Sequence, residues 1–154
     1  MKYETVNLEE KTVVGLAART SNTSPEMGAA IGGLWQDFYG KGIYPSIPHK
    51  KSEKALGIYT DYAGAQNNEY TVLVACEVEE SQKAELPAGT VLHKIPAGPY
   101  AKFTVKGHVQ KAVAEFWQEL WNMDLPRAYT SDFEEYQNGD MEQAEIHIYI
   151  ALKP

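Results

Sequence analysis

The chain has 154 residues, 44% of them hydrophobic, and its 14 basic against 21 acidic side chains give a formal charge of −7. One domain of that length buries roughly two-thirds of its unfolded surface without needing a metal or disulfide. With no lysine- or arginine-rich stripe and no apolar run near the ~20 residues of a membrane span, it is expected to be a soluble cytoplasmic protein that binds neither nucleic acid nor membrane.

Residues 11–19 (KTVVGLAAR) are apolar and β-branched enough for a buried strand, with residues 2–8 pairing beside it. Ser21 to Glu26 reads as a helix start, with Thr23 or Ser24 as cap and Pro25 in the first turn. That helix runs to about Gly40, and residues 40–55, carrying Pro45 and Pro48, form an extended connection. Residues 56–62 and 69–78 form a hairpin, the second strand holding the single cysteine, Cys76, as a small buried thiol. Residues 79–89 are polar and make the best seam between two halves. Residues 90–95 and 100–106 flank the turn Pro96-Ala97-Gly98-Pro99, a second helix spans 107–123, and 133–137 pairs with 144–152 around Asn138-Gly139-Asp140.

The two halves repeat each other. Met27, Ile31, Leu34, Trp35 and Phe38 align with Val109, Val113, Phe116, Trp117 and Leu120, each pair 82 positions apart. Their spacing of three and four is one stripe of an amphipathic helix. Each stripe is followed by a short aromatic run, Ile58-Tyr59-Thr60-Asp61 and Glu135-Tyr136-Gln137-Asn138, and then by an apolar strand. The expectation is one α+β domain over residues 1–154, built from half-repeats at about 1–80 and 88–154. Duplicated β-α-β-β units then give a pseudo-twofold antiparallel sheet with two long helices and a ligand cleft at the axis.

In the last strand Ile146, Ile148, Ile150 and Leu152 share one face and Glu145, His147 and Tyr149 the other. If Phe133 joins the isoleucine face, Glu134 and Tyr136 join Glu145, His147 and Tyr149. Such a row is either a solvated surface or, if the sheet curves around the twofold, a sheltered concave pocket. In the pocket case phenols supply flat apolar walls, and an ionised glutamate among them invites a cation. Ten tyrosines against four phenylalanines supply such walls. Tyr44, Tyr59, Tyr100 and Tyr129 are further candidates to reach the cleft.

Trp35 and Trp117 are assigned to core packing, and Trp121, at the edge of its stripe, either walls the cleft or extends the core. The four histidines, His49, His93, His108 and His147, are scattered, so no metal site is expected, and no cofactor motif is present. The Gly28–Gly33 run lies inside a helix stripe and is not a nucleotide loop. If the protein is an enzyme, the remaining candidates are Glu134 or Glu145 activating water while Tyr149 or the other carboxyl assists.

Taken together, IGGLWQDF from Ile31, LGIYTDY from Leu56, IPAGPYAKFTVKG from Ile95, FWQELW from Phe116, DFEEY from Asp132 and EIHIYI from Glu145 resemble the GyrI-like small-molecule-binding family. That family includes the effector-binding domains of AraC-type and MerR-type activators and stand-alone integron-associated effector-binding proteins. The resemblance implies binding of amphipathic or cationic aromatic small molecules for sequestration or sensing. It makes Glu134 the buried drug-neutralising carboxylate, with Tyr136 and Tyr149 beside it and Glu145 as a second acidic position. It also implies two alternatives: a hydrolase that opens strained cyclopropane-type electrophiles with a Glu/Tyr pair, and a partner-dependent regulator, since no DNA-binding domain accompanies this module.

Overall fold

The computed structural model describes residues 1–63, 69–79 and 86–154. Its elements run β1 (Glu4–Leu8), β2 (Lys11–Ser21), α1 (Met27–Gly40), α2 (Ile43–Ser46), β3 (Lys50–Thr60), β4 (Glu69–Val78), β5 (Val91–Ile95), β6 (Gly98–Gly107), α3 (Val109–Trp121), β7 (Ser131–Tyr136) and β8 (Ala144–Ala151). The strands form one antiparallel sheet in the order β1-β6-β8-β7-β3-β4-β2-β5. Read outward from the central β7–β3 pair, the order is β8-β6 on one side and β4-β2 on the other. The units β2-α1-β3-β4 and β6-α3-β7-β8 therefore share one topology about a pseudo-twofold between β3 and β7, which is the α+β duplication expected.

The short leading strand of each half pairs with the other half, β1 beside β6 and β5 beside β2. The expectation that residues 2–8 lie beside 11–19 is thus corrected. Both hydrogen-bonding edges of β2 are already taken by β4 and β5, which leaves β1 the free edge of β6. The hairpin of β3 and β4 forms as expected, although the tip of its turn and most of the 79–89 seam lie outside the described residues.

Two local expectations also change. α1 begins at Met27 with no side-chain cap at Glu26. Ser24 is spent one step earlier, its Oγ accepting the Glu26 N–H at 3.2 Å and its carbonyl the Met27 N–H at 3.3 Å. Pro25 therefore sits in a turn ahead of the helix. The 40–55 connection is only partly extended: Gly42, at φ 71°, turns the chain into the short helix α2, a left-handed position that glycine enters without steric cost.

Both sheet faces are apolar. On the helix face, α1 covers one core through Phe38 with Val14, Val74, Cys76 and Val78, and α3 covers another through Phe116 and Leu120 with Ile146, Ile148 and Ile150. On the reverse face Val13, Leu56, Ile58, Leu73, Ile95, Tyr100 and Phe133 make a third core, flanked by Val6 and Leu8 from the opposite edge. The sheet is curled into a half-barrel around that core. Since α1 lies on β2 and β4 while α3 lies on β6, no helix among the described residues sits squarely over β3 and β7. No helix among the described residues is long and apolar enough to cross a membrane.

Candidate functional site

The uncovered centre is an open cleft of about 1550 Å³, floored by β3 and β7 and walled by α1 and α3. Its existence follows from the two stripes. Only Phe38 of α1 and only Phe116 and Leu120 of α3 are fully buried, so the other flank of each stripe faces its pseudo-twofold partner across the gap. From α1 it presents Ile31 and Trp35, and from α3 Val113, Trp117 and Trp121.

At the floor stands Glu134, 2% exposed. Tyr59 donates its hydroxyl to Oε2 at 2.9 Å and Trp117 its Nε1–H to the same oxygen at 2.7 Å. Tyr136 donates to Oε1 at 2.7 Å. Burial pushes the Glu134 carboxyl above its ordinary value, and the hydrogen bonds from Trp117, Tyr136 and Tyr59 pull it partly back. These donors are all neutral. In turn burial and the neighbouring Glu134 charge hold the Tyr59 and Tyr136 phenols well above their ordinary value, so both remain donors at any ordinary pH.

Aromatic rings surround this carboxylate. Trp35 meets Tyr136 edge-on at 5.1 Å and stacks on Tyr39 at 6.3 Å, while Tyr59 meets Trp117 at 5.1 Å. Tyr70, its phenol pushed to about 12 by burial and by Glu134, lines the cleft beside Tyr62. At the same end lies a second buried carboxylate, Asp132, which accepts Arg127 Nη2 at 2.7 Å, the Tyr62 hydroxyl, and the Ala151 N–H at 2.8 Å.

The structure divides the residues singled out from sequence. Glu134, Tyr136, Tyr59 and Trp121 line the cleft. Glu145, His147 and Tyr149 do not share it. Glu134 pairs with Ile148 and Phe133 with Tyr149 across β7 and β8, and directly opposed residues share a face. The Glu145-His147-Tyr149 row therefore occupies the reverse side, where Phe133 and Tyr149 stack at 4.7 Å and His147 Nε2 meets Glu145 Oε2 at 2.9 Å. Placing Glu134 and Glu145 on one surface is thus corrected. Phe133 packs into the reverse core rather than on the helix face, because a curled sheet with a core on each side makes an apolar residue ambiguous between them.

Tyr44 and Tyr100 also lie away from the cleft. Tyr44 packs on Phe38 and donates to the Glu53 carbonyl at 2.7 Å, and Tyr100 is buried in the reverse core with its hydroxyl on the Pro96 carbonyl at 2.6 Å. Tyr129 sits behind Arg127, 4.4 Å from ring to guanidinium. Trp35 and Trp117 pack against the core as expected, Trp35 on the Phe38 cluster and Trp117 on the Phe116 cluster, and their other side faces the cleft. The wide stripe carried that signal, because a helix half-covered by a sheet leaves its flanking aromatics open. Gly57 and Arg127 carried no sequence signal. Among the described residues no cluster of His, Cys, Asp and Glu is arranged to hold a metal.

The profile of the Cass2 family, integron-associated effector-binding proteins, matches residues 4–152. The chain belongs to that family. This effector-binding domain is 27% identical to an integron cassette protein from the mobile metagenome of Vibrio cholerae, over 98% of this chain and 95% of that one, with a TM-score of 0.78. It shares its fold with SAV2435, solved bound to tetraphenylphosphonium (TM-score 0.80, 21% identity, 99% of this chain and 94% of that one). The same holds for a putative transcription regulation protein of Staphylococcus aureus MU50 (TM-score 0.73, 20% identity, 100% and 99%). No protein of curated function matches it. Family membership makes small-molecule binding its activity.

Proposed function

We propose that this protein captures bulky aromatic or amphipathic cations in the α1–α3 cleft, with Glu134 as the neutralising charge and Trp35, Tyr59, Trp117, Trp121 and Tyr136 as the walls. One observation carries the reading: a carboxylate buried under aromatic rings whose three partners are all neutral. Ionised, such a group pays a desolvation cost that hydrogen bonds offset only in part. An arriving cation completes the ion pair where the dielectric is low, and each aromatic face adds roughly 0.5–2 kcal/mol of cation–π attraction. The tetraphenylphosphonium held by a protein of this fold supports the same ligand chemistry here.

Calorimetric titration with tetraphenylphosphonium and with uncharged triphenylphosphine oxide tests it. Glu134→Gln is expected to weaken the cation about 10- to 100-fold, or roughly 1.4–2.7 kcal/mol, and the neutral compound by less than about threefold. Equal losses for both ligands would show that the carboxylate does not act through charge. Because the Glu134 carboxyl is raised, binding of this permanent cation strengthens as pH rises through its titration.

The ring-opening hydrolase reading retains only Glu134 with Tyr59 or Tyr136, since Glu145 and Tyr149 are on the other face. A raised carboxyl hydrogen-bonded to phenols has general acid–base character. Single-turnover incubation with a strained cyclopropane electrophile in labelled water separates this from capture, as only hydrolysis puts solvent oxygen in the product.

A further inference from the structure

Each long helix turns one stripe to the cleft. On α1 it is Gly28, Gly32, Trp35 and Tyr39; on α3 it is Gln110, Ala114, Trp117 and Trp121, each 82 positions later. Spacings of four, three and four keep each set on one helix face. In both, the N-terminal pair carries no ring and the C-terminal pair is aromatic. On α1 the ringless pair is bare glycine, and a Cβ at either position would meet nothing within 4 Å. Glycine is a poorer helix residue than alanine, and no packing contact among the described residues offsets that here.

The pseudo-twofold passes through the cross-strand pair Gly57 and Glu134 and sets the two helices antiparallel. Contacts at one end of the cleft join the start of α1 to the end of α3. Asn22, ahead of α1, accepts the Tyr70 hydroxyl at 2.8 Å, the Tyr70 ring lies 6.0 Å from Tyr62, and the Tyr62 hydroxyl shares Asp132 with Arg127, which follows α3. At the middle, Trp117 is bonded to Glu134, and Trp35 Cζ2 lies 3.5 Å from where a Cβ on Gly57 would stand. The ringless half of each helix therefore shares an end of the cleft with the aromatic half of the other: Gly28 and Gly32 with Trp121, and Gln110 and Ala114 with Tyr39. Two slots flank the carboxylate, each with one aromatic wall and one wall without rings.

We propose that the ligand is a two-armed cation, its charge held over Glu134 between Trp35 and Trp117 and one aromatic arm lying in each slot. This rests on the reading of the cleft as a cation site and deepens it by ligand shape. With its charge at the carboxylate, a molecule whose rings all extend one way fills a single slot. Rings on both sides of the charge bury apolar surface and meet an aromatic wall at both ends. The cleft, at about 1550 Å³, is larger than pockets that close around one drug-sized molecule and accommodates both arms. Gly32 and Ala114 are then the residues that set slot width, since a larger side chain at either fills one slot and leaves the other open.

The matched probes are dibenzyldimethylammonium and (4-biphenylmethyl)trimethylammonium, isomeric cations whose two rings lie on opposite sides of the nitrogen in the first and on one side in the second. Calorimetric titration of the wild-type protein is expected to show the dibenzyl isomer bound about tenfold more tightly. Gly32→Leu and Ala114→Leu each place a strong helix former at an exposed helix position, so both should melt no lower than the wild type, and each should bring the two isomers within about twofold. Equal or reversed wild-type affinities, or a preference that survives in either folded variant, overturn the two-armed assignment. If one variant does not fold, the other decides together with the wild-type pair. Glu134→Gln separates the two levels: loss of affinity for both isomers with no wild-type preference removes only the two-armed shape, whereas no loss for either removes the cation site itself.

Discussion

Asp132 and Glu134 stand two residues apart on β7, turned to the same face and 0% and 2% exposed, yet they are satisfied in opposite ways. Asp132 receives a guanidinium from Arg127 at 2.7 Å, together with a phenol and a backbone N–H. Arg127 is itself held over the Tyr129 ring. Glu134 receives three neutral donors. The first carboxylate carries its counterion within the chain and is a structural joint between β7, β8 and the segment entering β7. The second has hydrogen bonds but no cationic partner among the described residues, and it opens on a cleft rather than on a packed interior. Burial alone does not mark a functional carboxylate; what matters is whether the fold itself supplies the opposite charge.

The largest effect should follow from breaking the sealed pair. Arg127→Ala leaves Asp132 as an uncompensated buried charge, a change that costs about 3–5 kcal/mol, to be read as a lowered urea midpoint at neutral pH. A loss below about 1 kcal/mol would make the two carboxylates equivalent and remove the contrast. At Glu134 the stability effect has the other sign. Its folded carboxyl titrates above the unfolded reference of about 4.3, so its neutral form favours folding. That contribution is complete below the unfolded value and is lost as pH rises through the folded one. Glu134→Gln removes this loss, so its stability should fall less than that of the wild type as pH rises from about 4 to 7. A wild-type curve parallel to that of the variant would mean that Glu134 does not titrate above its unfolded value.

A smaller effect is expected from the phenols. Tyr59→Phe and Tyr136→Phe each remove a hydrogen bond to the ionised carboxylate, worth about 1.5–3 kcal/mol to that form. Each substitution therefore drives the Glu134 titration further up, and the pH at which tetraphenylphosphonium binding reaches half strength should rise in both variants. Tyr62→Phe serves as the contrasting control, since its hydroxyl serves Asp132 and should leave the binding profile in place.

Much of the fold was legible because the duplication is written in residues that must pack. The matching stripes of Met27 to Phe38 and Val109 to Leu120 fixed two helices, and Ile146, Ile148 and Ile150 fixed one face of β8. Of the cleft lining, Glu134, Tyr136 and Tyr59 were legible as candidates, since carboxyl and phenol groups are costly to bury without partners. Face assignment on β7 was not, because Phe133 packs into a core on the reverse side of a sheet that has cores on both. Nor was the pairing of β1, since strand partnership depends on which edges remain free after distant segments have paired. Gly57 was invisible for a simpler reason: its missing side chain lets the Glu134 carboxylate lie close against β3, which acquires meaning only once Glu134 is seen opposite.

The smallest expected effect tests that face assignment. Glu145 and His147 make a part-exposed pair on the reverse side, and pairs of this kind contribute about 0–1 kcal/mol. Glu145→Gln should therefore change unfolding free energy by less than about 1 kcal/mol. It should also leave tetraphenylphosphonium affinity within about twofold of wild type, since the sheet separates this carboxylate from the cleft. Tyr149→Phe should behave alike in binding, because its ring stacks on Phe133 behind the sheet. A tenfold loss of cation affinity in either variant would mean that the ligand reaches the reverse face. The contrast between a sealed and an open carboxylate would then have to include a third acidic position that the strand register now keeps apart.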